Sequence, residues 1–301
     1  MASTFNLLYL FFNNAAFLLL SALGLIIILG MMDIINLAHG ELMMMGAYVT
    51  TISYQAGVPF ALAVALAFLT VGVFGALIER TLIRRFYGRE LGALVLTWGI
   101  GLVLSQGSRI VFGSSMRPIP TPFGSFSYGG YSYSYYRLAL IVMSVLVLAG
   151  MWWLYNRTTF GLHARATMQN SDMAKCLGVN TNRIYMFTFA LGAALAGVSG
   201  ALFAPTTTIT PLMGQQFVVP AFIAVVVGGT ASVFAGVAGS STLLSAIQTP
   251  VGVRFGAYYG VILLLAAALI IIRILPNGVS SFLERLGDWL SDRRRRSVAD
   301  R

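Results

Sequence analysis

Asp33, Asn36, His39 and Glu41 crowd into the nine residues 33–41, between two apolar runs. Carboxylates, an amide and an imidazole at this spacing can hold a polar solute. They can also mark a helix break, and Gly30, Gly40 and Gly46 punctuate the same stretch. In a bilayer, irregular backbone survives only where it lines a cavity or packs on protein. One reading is therefore a broken helix beside a substrate path. The other is a short cytoplasmic turn in which Asn36 caps the next helix. Acid–base catalysis has little support. His163, the second of two histidines, lies far off in a basic loop where solvent is its natural neighbour. Glu79, Glu90, Glu284 and Asp288 fall at the edges of apolar runs, which leaves Asp33 and Glu41 as the acids placed for depth. An ion-coupled carrier usually keeps several acids inside its bundle. No catalytic residue is assigned, and the lone Cys176 rules out an intrachain disulfide and a cysteine-based metal site.

Two other stretches carry a signal. Residues 226–240, VVGGTASVFAGVAGS, are rich in glycine and small residues and hold no charge. They suit a hinge or re-entrant turn near a path, or tight helix packing. An interrupted apolar segment in each half of a chain is the pattern that points to a transporter's central site. Residues 156–183 form the longest polar stretch between apolar segments. Within them, 164–177 reads as one short amphipathic helix. Ala166, Ala174 and Leu177 form its apolar stripe, Arg165, Asn170, Asp172 and Lys175 point elsewhere, and Gly178 closes it. Such a helix is a handle for a soluble partner, or it rests on lipid headgroups.

These features sit in a chain built for hydrocarbon. Apolar residues make up 58% of 301 and charged residues 9%, against about 25% charged in a soluble domain. A spanning helix takes about 20 mostly apolar residues. Nine hydrophobic segments follow: 7–29, 34–55, 60–83, 91–112, 138–156, 184–203, 216–229, 237–250 and 255–275. The pieces at 216–229 and 237–250 are short enough to be half-helices or re-entrant. The first starts without a basic flank and reads as a retained helix rather than a signal peptide. The fold class expected is an all-α polytopic membrane protein of roughly 8–9 spanning or re-entrant segments. Residues 1–290 form one transmembrane domain, with an external loop at 113–137 and a cytoplasmic loop at 157–183. A basic tail, 291–301, follows. The 113–137 loop has three prolines and a run of tyrosines; it suits a docking surface for an external protein or an interfacial aromatic belt.

The net charge of +10 does not indicate nucleic acid, because 15 of the 19 basic residues follow the third, fifth and ninth segments. That is the positive-inside pattern. It puts the N-terminus outside and the C-terminus in the cytoplasm, and Arg293–Arg296 can also contact anionic lipid. A phosphate-binding P-loop needs Lys followed by Ser or Thr. The only lysine, Lys175, is followed by Cys176. Any ATP used must be bound by another chain, and no cofactor is expected in this one.

Four motifs in order resemble the permease subunits of ABC importers for branched-chain amino acids, a family that also includes urea and short-chain amide permeases. They are INLAHGE at 35–41 with MGAY at 45–48, RATMQNSDMAKCLGVNT at 165–181, the glycine-rich 226–240, and LPNG at 275–278. Thr230 and Phe234 depart from the usual third motif. The resemblance runs from about Leu18 to Gly278. It implies a bacterial inner-membrane protein paired with a second, related permease, two cytoplasmic ATPases and a periplasmic solute-binding protein. It places Asn36, His39, Gly40, Glu41, Thr97, Trp98, Gly228, Gly229 and Thr230 along the path. Arg165, Ala166, Asn170, Asp172, Ala174, Leu177 and Gly178 would engage an ATPase. ERTLIRRFYGRELGALVLTWG at 79–99 and QNSDMA at 169–174 resemble the urea-type branch, although Gly92 and Ala93 depart from it. The alternative to an ABC permease is a self-sufficient channel or ion-coupled carrier for a small neutral solute.

Overall fold

The computed structural model describes residues 2–229, 232–276 and 278–282. Thr230, Asn277 of the LPNG motif and the basic tail lie outside these residues. In chain order the helices are α1 (Ala2–Met32), α2 (His39–Gln55), α3 (Phe60–Thr81), α4 (Glu90–Phe112) and α5 (Tyr135–Arg157). There follow α6 (Thr159–Gln169), α7 (Ser171–Cys176), α8 (Thr181–Phe203), α9 (Met213–Gly228), α10 (Val233–Phe255) and α11 (Ala257–Ile274). Six of them are long and apolar enough to cross a membrane, or seven spans if α9 and α10 count as one bent pair. The fold is that of a multi-pass helical membrane protein. α1 has 31 residues, about 46 Å at 1.5 Å per residue, so it exceeds a hydrocarbon core of about 30 Å.

Each of the nine expected segments coincides with a helix, two of them with different bounds, and the loop at 113–137 differs as well. The segment at 34–55 becomes helical only at His39. Asp33 takes a left-handed backbone, φ 53°, and its N–H closes α1 on Leu29 O. The short piece at 237–250 is a full helix of 23 residues, α10, which runs through Pro250. Proline removes one N–H donor and crowds the turn before it, yet α10 continues past it to Phe255. The 113–137 stretch is not only loop. Ser125–Tyr128 (β1) and Tyr131–Ser134 (β2) pair antiparallel, with Gly129 and Gly130 in the positive-φ conformation that a tight two-residue hairpin turn demands.

The chain divides into two compact units. The larger is Leu20–Ala221. Its centre is α8, 72% of whose spanning window is buried, whereas α5 is 17% buried and turns most of its surface outward. Glycines let α8 meet its neighbours backbone to backbone. A Cβ on Gly46 would lie 2.0 Å from Gly197 O, and one on Gly200 would lie 1.8 Å from Met43 O. These two contacts hold α2 on α8, as small residues do where helices cannot rely on water to drive them together. Ser199 Oγ, 2.8 Å from Leu20 O, ties α8 to the C-terminal half of α1.

The smaller unit contains the residues up to Leu19 and those from Phe222 onward. Here the glycine-rich stretch packs tightly. A Cβ on Gly228 would meet Gly236 at 2.9 Å, and one on Gly278 would meet Gly229 Cα at 2.5 Å. Ser240 donates to Ala224 O at 2.6 Å, and Asn14 Nδ2 donates to Thr249 Oγ1 at 3.0 Å.

Candidate functional site

The break after α1 is held by polar groups that replace the missing helical hydrogen bonds. Asn36 is fully buried, and its Oδ1 accepts from Ala38 N–H at 3.1 Å. This local loop precedes α2 rather than capping its first turn. Thr97, on α4, does the rest. Its Oγ1 accepts from Leu37 N–H at 3.2 Å, and its hydroxyl proton has two acceptors in reach, Ile35 O at 3.2 Å and Leu94 O on its own helix at 3.0 Å. Thr97 is itself fully buried. In a medium without water each unmet backbone group is costly, so one threonine on a neighbouring helix supports the non-helical backbone at 35–37.

The first turn of α2 then sends its polar residues in different directions. His39 is fully buried, with Nε2 2.8 Å from Ser21 O. A carbonyl only accepts, so Nε2 carries the proton. Gly40 faces α9. A Cβ there would lie 2.2 Å from Gly214 O and 2.4 Å from Val218 Cγ2. Glu41 turns to a cavity of about 300 Å³. Leu37, Trp98, Gly101, Leu102, Ser105, Gln215, Val218 and Val219 complete its wall. Glu41 is 8% exposed, and its Oε2 has no hydrogen-bond partner among the described residues. A Cβ on Gly101 would lie 3.3 Å from that oxygen, so the missing side chain at 101 is what gives the carboxylate room.

The structure thus brings Glu41 and Trp98 together on one cavity. Asn36, Thr97, His39 and Gly40 stand behind it and shape the break. Gly228 and Gly229 are engaged with Gly236 and Gly278 instead. Ser105 and Gln215 share the cavity and escaped sequence reasoning. Gln215 carried a usable signal: it is one of few strongly polar residues in the uncharged run Ile184–Val253.

The stretch expected as one helix over 164–177 is two helices, α6 and α7. Asn170 divides them. Its Oδ1 accepts from Asp172 N–H at 3.1 Å and Met173 N–H at 2.9 Å, the geometry of an N-cap. Gly178 ends α7, with φ 85° and Val179 N–H bonded to Ala174 O at 3.0 Å, a Schellman closure. The inward face is Gly161, Ala164, Thr167 and Ala174. Leu177 does not join it. Leu177 is 77% exposed, Met173 58% and Leu162 57%, so large apolar side chains project outward from this loop. The start of a new helix at Ser171 turns residues after the break onto a different face from those before it. Arg165 donates to Asn156 Oδ1 at 3.0 Å and lies over the Tyr155 ring, while Ala166 is half-buried. Asp172 pairs with Lys175 at 2.9 Å, and this carboxylate pushes the lysine's pKa up.

Glu79, at the edge of an apolar run, is fully buried and pairs with Arg84 at 3.2 Å. Tyr87 also donates to it. Burial, then the bond to Glu79, pushes the Tyr87 phenol above its ordinary range, so it stays a donor. Its ring meets Tyr185 of α8 edge-on at 4.9 Å. The turn between α3 and α4 is thereby tied to α8, the helix that follows α7.

The model of the family described as branched-chain amino acid transport system / permease component matches residues 7–274. The chain belongs to this family. It is a LivH-like ABC permease, and its several long apolar helices are those of a multi-pass membrane protein. The permease is 29% identical over 278 residues to the high-affinity branched-chain amino acid transport system permease protein BraD of Pseudomonas aeruginosa, covering 86% of this chain and 90% of that one. It is 25% identical over 277 residues to LivH of Escherichia coli, with the same coverage. A probable LivH of Methanocaldococcus jannaschii is 29% identical over 223 residues, 70% of each chain. No solved structure matches the permease.

Proposed function

We propose that this permease passes a small polar solute from a periplasmic binding protein across the bacterial inner membrane, driven by two separate ATPases and paired with a second, related permease. The outward apolar side chains of α6 and α7 carry the reading. A soluble polar loop has no use for Leu162, Met173 and Leu177 at its surface unless something covers them. They flank a capped, rigid helix pair, the form in which one protein offers a helix to a groove in another. The basic residues after α3 and α5 support a cytoplasmic position for this loop, with the N-terminus outside. The hairpin at 125–134 then faces the binding protein.

The names of BraD and the LivH proteins support a branched-chain amino acid as solute. The motifs at 79–99 and 169–174 support urea or a short amide instead. Transport is tested by reconstituting the full importer and, separately, this chain alone. ATP-dependent uptake by the assembly and none by the chain alone is expected. Solute flux through liposomes holding only this chain would replace the reading with a self-sufficient channel or carrier.

A further inference from the structure

The turn between α3 and α4 is held from the inside. Glu79 is fully buried and is met by Arg84 and Tyr87. Ile83 is fully buried in a cluster with Ile28, Ile78 and Phe189, and Phe86 and Tyr87 pack against it. Gly92 leaves room for the Phe86 ring, since a Cβ there would lie 2.7 Å from Phe86 Cδ1. Between these anchors the outward positions are basic. Arg80, Arg85 and Arg89 are exposed, and neither ion pair among the described residues involves them. Arg183 is exposed too, two residues before Tyr185, whose ring packs on Tyr87. Glu90 is the one exposed acid between 79 and 92. Large apolar side chains stand beside the arginines: Leu77 is 55% exposed, Leu91 80% and Val95 62%.

We infer that the α3–α4 turn is a binding site for an anionic phospholipid, in which Arg80, Arg85 and Arg89 hold the headgroup phosphate while Leu91 and Val95 face the acyl chains. The guanidinium fork matches phosphate oxygens. Basic clusters at the end of a span attract anionic lipid. The mixture of charge and hydrocarbon favours lipid over a soluble acidic partner. Arginine stems can lie along apolar surface while their heads reach the phosphates, and Leu91 meets acyl chains instead of water. The positive-inside rule asks only for basic residues near a span. It does not ask for a turn fixed by a buried ion pair and a buried isoleucine. That rigidity means little order is lost when a lipid binds. Through Tyr87 and Tyr185, a lipid held here also braces the start of α8. The inference is independent of which solute passes.

The test titrates the full-length permease in detergent with phosphatidylglycerol and, separately, phosphatidylcholine, and counts bound lipid by native mass spectrometry. Wild type is expected to retain phosphatidylglycerol and to lose phosphatidylcholine. Each arginine near the lipid contributes about fivefold, so replacing Arg80, Arg85 and Arg89 together by Gln should weaken phosphatidylglycerol binding roughly a hundredfold. Arg85→Gln alone should weaken it about fivefold, and it decides the matter if the triple variant does not fold. Replacing the exposed Arg109, Arg117 and Arg137 by Gln removes the same charge elsewhere and should leave binding as in wild type. Equal loss in the two triple variants marks overall charge and overturns the inference. So does equal retention of both lipids by wild type, or displacement of phosphatidylglycerol by inorganic phosphate, which marks a site for the free ion. Unchanged lipid binding in the variants at 80, 85 and 89, with the ATPases lost from the assembled importer, assigns the turn to a protein partner and overturns it as well.

Discussion

Without the Thr97 hydroxyl, Ile35 O and Leu37 N–H lose their shared partner in surroundings closed to water. Thr97→Val should cost about 1–3 kcal/mol, the penalty for stranding buried polar groups, and Thr97→Ser should restore most of it. Thermal unfolding in detergent measures the difference, and hydrogen exchange at Leu37 should quicken in the Val variant alone. Glycines offer a sharper contrast. Gly200→Ala drives a methyl to 1.8 Å from Met43 O, whereas a Cβ on Gly107 meets nothing within 4 Å. Gly200→Ala should cost upward of about 1–3 kcal/mol through overpacking and lower the yield of folded protein. Gly107→Ala should express as well as wild type, and unchanged yield for both would contradict the contact. The importance of the residues at 33–41 was legible in the sequence, since charges between two apolar runs stand out. Their separate tasks were not. His39 is set by a carbonyl on α1 and Gly40 by a glycine on α9, and no local pattern names partners so far along the chain.

Among the elements, α7 makes the most direct prediction. Met173→Glu and Leu177→Glu place charge on its outward face without touching the buried Ala174. Each should reduce co-purification of the ATPases severalfold while the permease still inserts and folds. Intact binding in both variants would assign the face to lipid. Loss of the cap in Asn170→Ala should cost about 0.5–2 kcal/mol and loosen α7 alone, read as faster exchange at Asp172 and Met173. The end of this helix could be read in advance from Gly178, because a glycine after an amphipathic run is a strong stop signal. The break at Asn170 was written there too, in the Asn-Ser-Asp order that favours caps, but the apolar spacing of Ala166 and Ala174 concealed it. Burial of Glu79 needed three dimensions. Its pairing with Arg84 and Tyr87 places all three on one turn, and a sequence shows only that acids and bases are near one another.

At the scale of the whole molecule, Cys176 is the sole cysteine and is exposed. It therefore reports the orientation of the entire chain without any engineered site. A membrane-impermeant maleimide should label inverted vesicles and leave intact spheroplasts unlabelled, if the N-terminus is outside and the α6–α7 loop inside. Labelling of intact spheroplasts would reverse the topology and the assignment of both loops. Composition alone was enough to foresee the membrane and the helices, because hydrocarbon imposes one strict requirement on backbone and side chain alike. The division into two compact units left no such trace. It runs through the middle of α1 and α9, where the residues on either side are equally apolar.

The seam between α2 and α8 carries one more consequence. Side chains that interlock can change rotamer and absorb a displacement, but carbonyl oxygens resting on glycine carbons have no such play. With Gly197 O against Gly46 and Met43 O against Gly200, the two helices should move together as one beam. That beam starts at Thr181, just past α7, and bears Glu41 on its other member. If an ATPase engages the α6–α7 loop as proposed, force applied there would reach the carboxylate through this seam.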